Sequence, residues 1–380
     1  MNITFDKEYA GIGSRKLSKK NARKFITFAF VRALSGWKVR SGAADGADTA
    51  FEVGARLAYR FLSEINPEKY PKGQYNIVQE IFIPWSNFNG RKDDLKAGYS
   101  SKISKAEIDL AIKYHPAGDT LKQSLKNLMA RNVLQILGRE INGERSLVNE
   151  VICYTPDGAE TKTNYKTGGT GQAIRIANDF NIPVFNLVGE QGADHIDNVI
   201  QEGVKDWPLD ITVQEYVNDY IDKYTGFKNS HKRSIVDVSS ADVIVHGCNC
   251  LNTMGAGIAR VISQNWPESS ESDNRTKRAD KNKLGTFSSA NIKLKNGKDC
   301  TIINAYTQFD HSGPMDELLA DYEAIRKIFK ELNTLYKGKV IVFPKIGAGT
   351  ANGDWFTISN IIRTELKDCK LMLVDIGLVT

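Results

Sequence analysis

No stretch of eighteen consecutive apolar residues occurs in this 380-residue chain, which argues against a transmembrane helix. The opening residues Met1-Asn2-Ile3-Thr4-Phe5-Asp6 also lack the basic-then-apolar profile of a secretory signal, so a cytoplasmic location and no membrane partner are expected. Cysteine is scarce: five residues, an odd number scattered through a long chain, make no disulfide framework and fit a reducing compartment. His246, Cys248 and Cys250 lie close together, but no second ligand cluster appears elsewhere, so neither a metal nor any other cofactor is expected. There is no low-complexity tract and no short-period repeat.

What is present is ordinary globular composition at a length that suits roughly two domains of 150–200 residues. The net charge of +6 suits anionic ligands without demanding nucleic acid. Positive charge gathers at Arg15, Lys16, Lys19, Lys20, Arg23 and Lys24, and again at Arg275, Lys277, Arg278, Lys281 and Lys283. No aromatic residues interleave these clusters in the manner of a single-strand platform, so solvated faces account for them at least as well, and nucleic acid is not the favoured partner. Whether the chain forms a homo-oligomer is left open.

Short β-rich runs at 81–84, 150–155 and 182–188 alternate with helical patterns at 18–35, 46–62, 120–138 and 170–180. That rhythm predicts a parallel sheet covered by helices. Between about 190 and 230 it lapses into a polar helical stretch with Trp207-Pro208, inside which a linker is expected, and it restarts with strands at 242–246, 300–306, 340–344 and 371–375 and helices at about 316–336 and 355–367. The predicted fold class is α/β: two three-layer domains, a Rossmann-like parallel sheet over 1–190 and a mixed sheet with flanking helices over 230–380, joined by a linker at 191–229.

Two strands in the second half run directly into glycine-rich turns. After Val243-Ile-Val-His246-Gly-Cys-Asn249 comes Gly255-Ala256-Gly257-Ile258, and after Val340-Ile-Val-Phe343 comes Gly347-Ala348-Gly349-Thr350. Glycine at such turns lets backbone N–H groups approach an anion, so a pair of loops suggests a diphosphate gripped from two sides. The ordered set "ADVIVHGCNCLNTMGAGIARVI", "KLGTF", "IINAYTQ" and "VIVFPKIGAGTANGDW" resembles macro domains, in particular the ADP-ribose 1''-phosphate phosphatase subgroup. The resemblance implies that both glycine loops wrap the ligand, that Asn249 hydrogen-bonds the distal ribose, and that Tyr306 packs beside it. His246, expected at the strand exit and facing the crevice, and Asp354, after the second loop, are candidates for proton transfer or for activating water. Helix N-capping is the rival role for Asp354, a structural place in the fold that for His246, and core packing that for Tyr306.

Three departures from relatives matter. The helix after the first glycine loop reads Ile262-Ser263-Gln264-Asn265-Trp266 and lacks the lysine that some macro domains use covalently. Ala351 stands where those enzymes carry an aspartate. No acid clearly matches the usual adenine contact in Arg233-Ser234-Ile235-Val236-Asp237, where Ser234 or Asp237 would have to serve.

In the first half, "YAGIGSRKLS", "VRSGAADGADTAFEVGA", "ARNVLQILG" and "KTGGTGQAIRIANDFNIPVFNL" form another ordered set. They resemble the Rossmann-like SLOG superfamily, which includes DprA-type DNA-processing proteins, nucleotide phosphoribohydrolases and sensors of NAD-derived signals. The resemblance implies a ligand site at the carboxyl edge of a parallel sheet. Gly13, Ser14 and Arg15 would receive a phosphate, as would Gly168, Gly169 and Thr170 at a helix start. Ser41 and Gly42 would lie in the loop lining the same edge, Asp45 and Asp48 would receive ribose hydroxyls, and Arg131 with Asn132 would reach phosphate or base; helix capping for the acids and a structural salt bridge for the arginine are the rival roles. The glutamate that the phosphoribohydrolases place in the glycine motif is missing here, which favours binding over glycosidic cleavage.

Together these readings predict a protein for NAD- or ADP-ribose-derived nucleotides. The second domain would hydrolyse ADP-ribose 1''-phosphate or an ADP-ribosyl adduct; the alternatives are a non-catalytic sensor or sponge for a cyclic ADP-ribose-type signal in conflicts between phages and bacteria, and a DprA-like DNA binder.

Overall fold

A computed structural model describes residues 3–205, 207–209, 211–225, 230–231, 234–313 and 317–374. The chain divides into two compact units, residues 1–220 and 221–380. The fold class is α/β throughout, as the alternating pattern requires.

In the first unit, β1 (Lys7–Gly13), α1 (Lys19–Leu34), β2 (Trp37–Ser41), α2 (Ala47–Ile65), β3 (Gln79–Phe82), β4 (Tyr99–Ser100), α3 (Lys105–Tyr114) and α4 (Gln123–Leu137) come first. A small hairpin of β5 (Glu140–Ile141) and β6 (Glu144–Arg145) follows, then β7 (Glu150–Tyr154), α5 (Thr170–Asp179), β8 (Val184–Asn186), α6 (Gly192–Gly203) and α7 (Val213–Thr225), which runs past the unit boundary. The main sheet has the order β4-β3-β2-β1-β7-β8, all parallel. Alternation along β1 sorts the layers: Ala10 and Ile12 join a core with α3, α4 and α5, whereas Tyr9 packs edge-on against Phe28 and Phe51 of α1 and α2. Gly54 permits the close approach of those two helices, since a Cβ there would lie 2.2 Å from the Ile26 carbonyl oxygen.

The expected linker is a correction. Residues 192–203 and 213–225 are helical, and the first of these segments and the start of the second are anchored on α1. Lys24 pairs with Asp197 at 2.7 Å, Thr27 donates to Gln214 and Arg23 to Asn218. Trp207 stacks among Phe30, Phe61 and Tyr216. Polar composition concealed this anchor because the apolar contribution comes from a few isolated residues, Val213, Tyr216 and Val217, at helical spacing. Residues 226–229 of the same stretch lie outside the described residues.

In the second unit, β9 (Ser230–His231), β10 (Val243–Asn249), α8 (Gly257–Asn265), α9 (Pro267–Asn274), β11 (Phe287–Lys293) and β12 (Asp299–Gln308) precede α10 (Tyr322–Leu335), β13 (Val340–Phe343), α11 (Trp355–Glu365) and β14 (Lys370–Val374). The sheet order is β11-β12-β10-β13-β14-β9, parallel except for β11, which runs antiparallel to β12 with Phe287 opposite Ala305. Val243, Val245, Ile341 and Phe343 face α10 and α11. Ile244, Ile302 and Val342 face Ile262 and Trp266 on and after α8. The expected final strand holds to Val374; Asp375 lies outside the described residues. Among the described residues no helix is long and apolar enough to cross a membrane.

Candidate functional sites in the two units

In the first unit the chain crosses the sheet between β1 and β7, and the loops leaving their carboxyl ends diverge there, the position where doubly wound sheets hold ligands. A cavity of about 430 Å³ opens at this point. Gly13, Ser14, Arg15, Asp48, Arg131, Asn132, Gly169 and Thr170, placed in four separate sequence motifs, all line it. Gly13 has little choice of residue type: its φ is +154°, and a Cβ would lie 2.7 Å from the Tyr154 carbonyl oxygen. The amide of Ser14 donates to that same carbonyl at 2.8 Å, which fixes the loop against β7. Gly169 is the N-cap of α5, so the start of that helix, with Lys166 beside it, stands at the cavity wall.

Four first-unit candidates, Ser41, Gly42, Asp45 and Gly168, are not in the cavity wall. Ser41 is fully buried and donates from Oγ to the Gly11 carbonyl at 2.6 Å, tying β2 to β1. Gly42 lies beneath Arg131, whose Nη1 donates to its carbonyl at 2.8 Å. Asp45 is buried in the field of Arg91 and Gly168 forms the turn before α5; neither lines the cavity. Asp48 accepts from the Ala44 amide at 3.4 Å and stands 4.0 Å from Arg131; burial raises its carboxyl pKa, with Arg131 opposing. Lys166, Met129 and Gln135 also line the cavity and were not singled out in the sequence. Gln135 was legible in one respect only: it follows Arg131 by four residues on a helix.

In the second unit β10 and β13 are parallel neighbours, Val243 opposite Ile341 and Ile244 opposite Val342, so their trailing loops leave the same edge of the sheet. Gly255, Ala256, Gly257 and Gly349 are exposed, and a Cβ built on any of these three glycines meets nothing within 4 Å. Ile258 and Ala348 are half-buried behind them and Thr350 is exposed. Gly257 opens α8 with φ +53°. Gly347, with φ +70°, has little room, a Cβ there lying 3.1 Å from Ile358 Cδ1. Asn249 organises the first loop: its Oδ1 accepts from the Leu251 amide at 2.9 Å and its Nδ2 donates to the Thr253 carbonyl at 2.9 Å.

Three expectations are corrected here. His246 does not face the crevice: it is fully buried, with Nε2 donating to Asn304 Oδ1 at 2.7 Å, and burial lowers its pKa to about 4. The strand alternates, and position 246 shares the phase of Ile244, toward α8 and α9. Tyr306 is likewise closed in, its hydroxyl donating to Asp273 at 2.8 Å with the Lys283 ammonium 4.2 Å above the ring. Asp354 caps α11, its Oδ2 accepting from the Thr357 amide and hydroxyl at 2.8 Å each, although Oδ1 finds no partner among the described residues. Of the adenine candidates, Asp237 forms an exposed 2.6 Å pair with Lys295 and Ser234 opens a 3-10 turn.

A larger groove of about 1040 Å³ lies elsewhere in this unit, beside Asp242 and Val243 where β10 begins, on the opposite edge from the glycine loops. Size does not make it the better site. Several of its charges are engaged in solvated ion pairs such as Lys293–Asp299, 71% and 88% exposed. Among the described residues no group of three or more His, Cys, Asp or Glu side chains is arranged to hold a metal.

No protein-family model matches the chain. Over 137 residues it is 35% identical to the uncharacterized 17.5 kDa protein in the tk-vs intergenic region of Enterobacteria phage T4, a match covering 35% of this chain and 84% of that protein. The chain belongs to that protein's family. Among solved structures it is similar to the macrodomain of Thermus aquaticus DarG, at 16% identity and TM-score 0.30, covering 39% of this chain and 95% of that one. It is also similar to DNA processing protein A from Helicobacter pylori, at 17% identity and TM-score 0.28, covering 57% and 81%. Scores of this size carry no weight on function.

Proposed function

We propose that this chain binds nucleotides of the NAD and ADP-ribose class: a macro-type second unit takes an ADP-ribose moiety between the 255–258 and 347–350 loops, and a SLOG-type first unit takes a nucleotide in its cavity. The observation that carries the reading is the pair of open glycine turns at the carboxyl ends of two adjacent parallel strands. Backbone amides in such turns match the oxygens of a diphosphate, and side chains on both sides would block it. In the first unit the support is the convergence of Ser14, Arg15, Arg131 and the start of α5 on one cavity.

Binding without turnover is the better supported form. The two groups that would have handled protons are engaged otherwise, His246 inside the fold and Asp354 at a helix cap. A protein that holds an NAD-derived signal intact fits these positions better than a hydrolase does.

Calorimetry of the full chain with ADP-ribose tests this reading. Stoichiometric binding is expected, lost in Gly349→Glu, where open space accommodates the side chain but its carboxylate repels the diphosphate. Absence of binding in the parent protein overturns the proposal. Incubation with ADP-ribose 1''-phosphate is expected to return the compound unchanged, and phosphate release would restore the hydrolase reading.

A further inference from the structure

Gln135 stands one turn beyond Arg131 on α4, so both side chains leave the same face of the helix. That face looks onto Gly42 at the end of β2. A Cβ built there would lie 2.7 Å from Arg131 Cζ and 2.7 Å from Gln135 Nε2, so glycine is what allows both side chains to reach the cavity wall. Gln135 is 1% exposed, yet neither its Nε2 nor its Oε1 finds a hydrogen-bond partner among the described residues. Arg131 is similar in part: Nη1 donates to Gly42 and Nη2 lies 3.4 Å from Asn132 Oδ1, but the buried Nε–H has no partner among the described residues.

The neighbouring amides differ. Asn132 donates to Gln172 Oε1 at 3.1 Å, and Gln172 donates to the Ala111 carbonyl at 2.8 Å. Unmet hydrogen-bonding capacity is therefore concentrated at Gln135 and Arg131, on a wall of the cavity. A buried amide with both ends unpaired opposes folding, and its presence is explained when a bound group supplies the missing donor and acceptor.

We propose that Gln135 is the specificity-determining residue of the first-unit cavity, its amide pairing with a ligand edge that presents a hydrogen-bond donor beside an acceptor, as a nucleobase or a carboxamide does. The inference rests on the reading of this cavity as a nucleotide site. The ligand's donor meets Gln135 Oε1 and its acceptor meets Nε2, with the Arg131 Nε–H as an additional donor. A phosphate at the start of α5 and this edge at Gln135 would then hold the two ends of one ligand.

Calorimetry on the full chain carrying Gly349→Glu, so that the second unit does not contribute, compares matched probes. AMP and purine riboside 5'-monophosphate differ by the exocyclic amino donor; nicotinamide mononucleotide and nicotinate mononucleotide differ by the carboxamide. In the pair that matches the natural ligand, the first member is expected to bind roughly 5- to 150-fold more tightly than the second. Which pair shows the preference distinguishes nucleobase from carboxamide. Gln135→Leu, close in volume, should abolish the preference and leave ribose 5-phosphate binding unchanged; Gln135→Glu, which keeps the oxygen that meets the ligand's donor, should retain the preference while weakening binding of both members through the lost Nε2 donor. Persistence of the preference in Gln135→Leu, or no preference in either pair while ribose 5-phosphate binds, overturns the role of Gln135. If no probe binds, ribose 5-phosphate included, the nucleotide reading of the cavity fails and the inference with it.

Discussion

His246 Nε2 donates to Asn304 Oδ1 at 2.7 Å in the interior of the second unit, and Asn304 Nδ2 in turn donates to the Ser269 carbonyl at 2.8 Å. The carbonyl fixes which end of the amide is which, so the imidazole must present a proton at Nε2. Its burial favours the neutral ring.

That neutrality has a pH signature. The folded pKa of about 4 lies below the ordinary 6.5, so between these values the unfolded chain binds the extra proton and stability rises with pH. The contribution is fully present above 6.5 and is lost as pH falls toward 4, on the order of 3 kcal/mol in total. Urea midpoints of parent and His246→Asn, followed from pH 7.5 to 4, are expected to show a shallower decline in the variant.

Asp48 gives the opposite sign. Its folded pKa is raised, so the unfolded chain releases its proton first as pH rises above the ordinary 3.8, and stability falls through that window. Asp48→Asn keeps an acceptor for the Ala44 amide without a buried charge. A higher thermal midpoint at pH 7 is the expected outcome, and a lower one would show that the carboxylate is needed to hold Arg131.

Asp354→Ala should lower stability by about 1 kcal/mol, the usual value of a lost helix cap, and leave ADP-ribose affinity within about twofold. Chemical denaturation and calorimetry on the same preparation separate the two. A large drop in affinity at unchanged stability would return Asp354 to the ligand site.

Tyr306→Phe removes the hydroxyl that donates to Asp273, leaving Lys283 at 3.5 Å as the remaining charged partner of a buried carboxylate. The expected loss is about 1–3 kcal/mol of unfolding free energy, read from the denaturation midpoint. A loss confined to ligand affinity would instead place the ring beside a bound ribose.

The strand runs and their glycine turns were legible because their signal is local: β-branched residues at 243–245 and 340–342 followed by turns that only small residues make. The placing of Gly13, Asp48 and Gly169 around one cavity was legible too, since every parallel strand sends its following loop to the same edge. The docking of the polar helical stretch at 192–203 and 213–225 on the first unit was not, because it rests on aromatic and polar contacts with α1 rather than on the stretch's own composition.

The amino-acid sequence by itself determined that there would be two α/β units and where their loops would turn, since both follow from periodicity and from the conformational range of glycine. Tertiary structure alone decided which side chains those loops expose. His246, Tyr306 and Asp354 have the residue types of a reactive site, yet packing of α8, α9 and α11 turned each into a partner of the fold, while Gln135, without a distinguishing sequence context, was left unpaired against a cavity. The phase of a strand and the occupant of a helix face are set by what packs against them, and that is a property of residues distant in the chain.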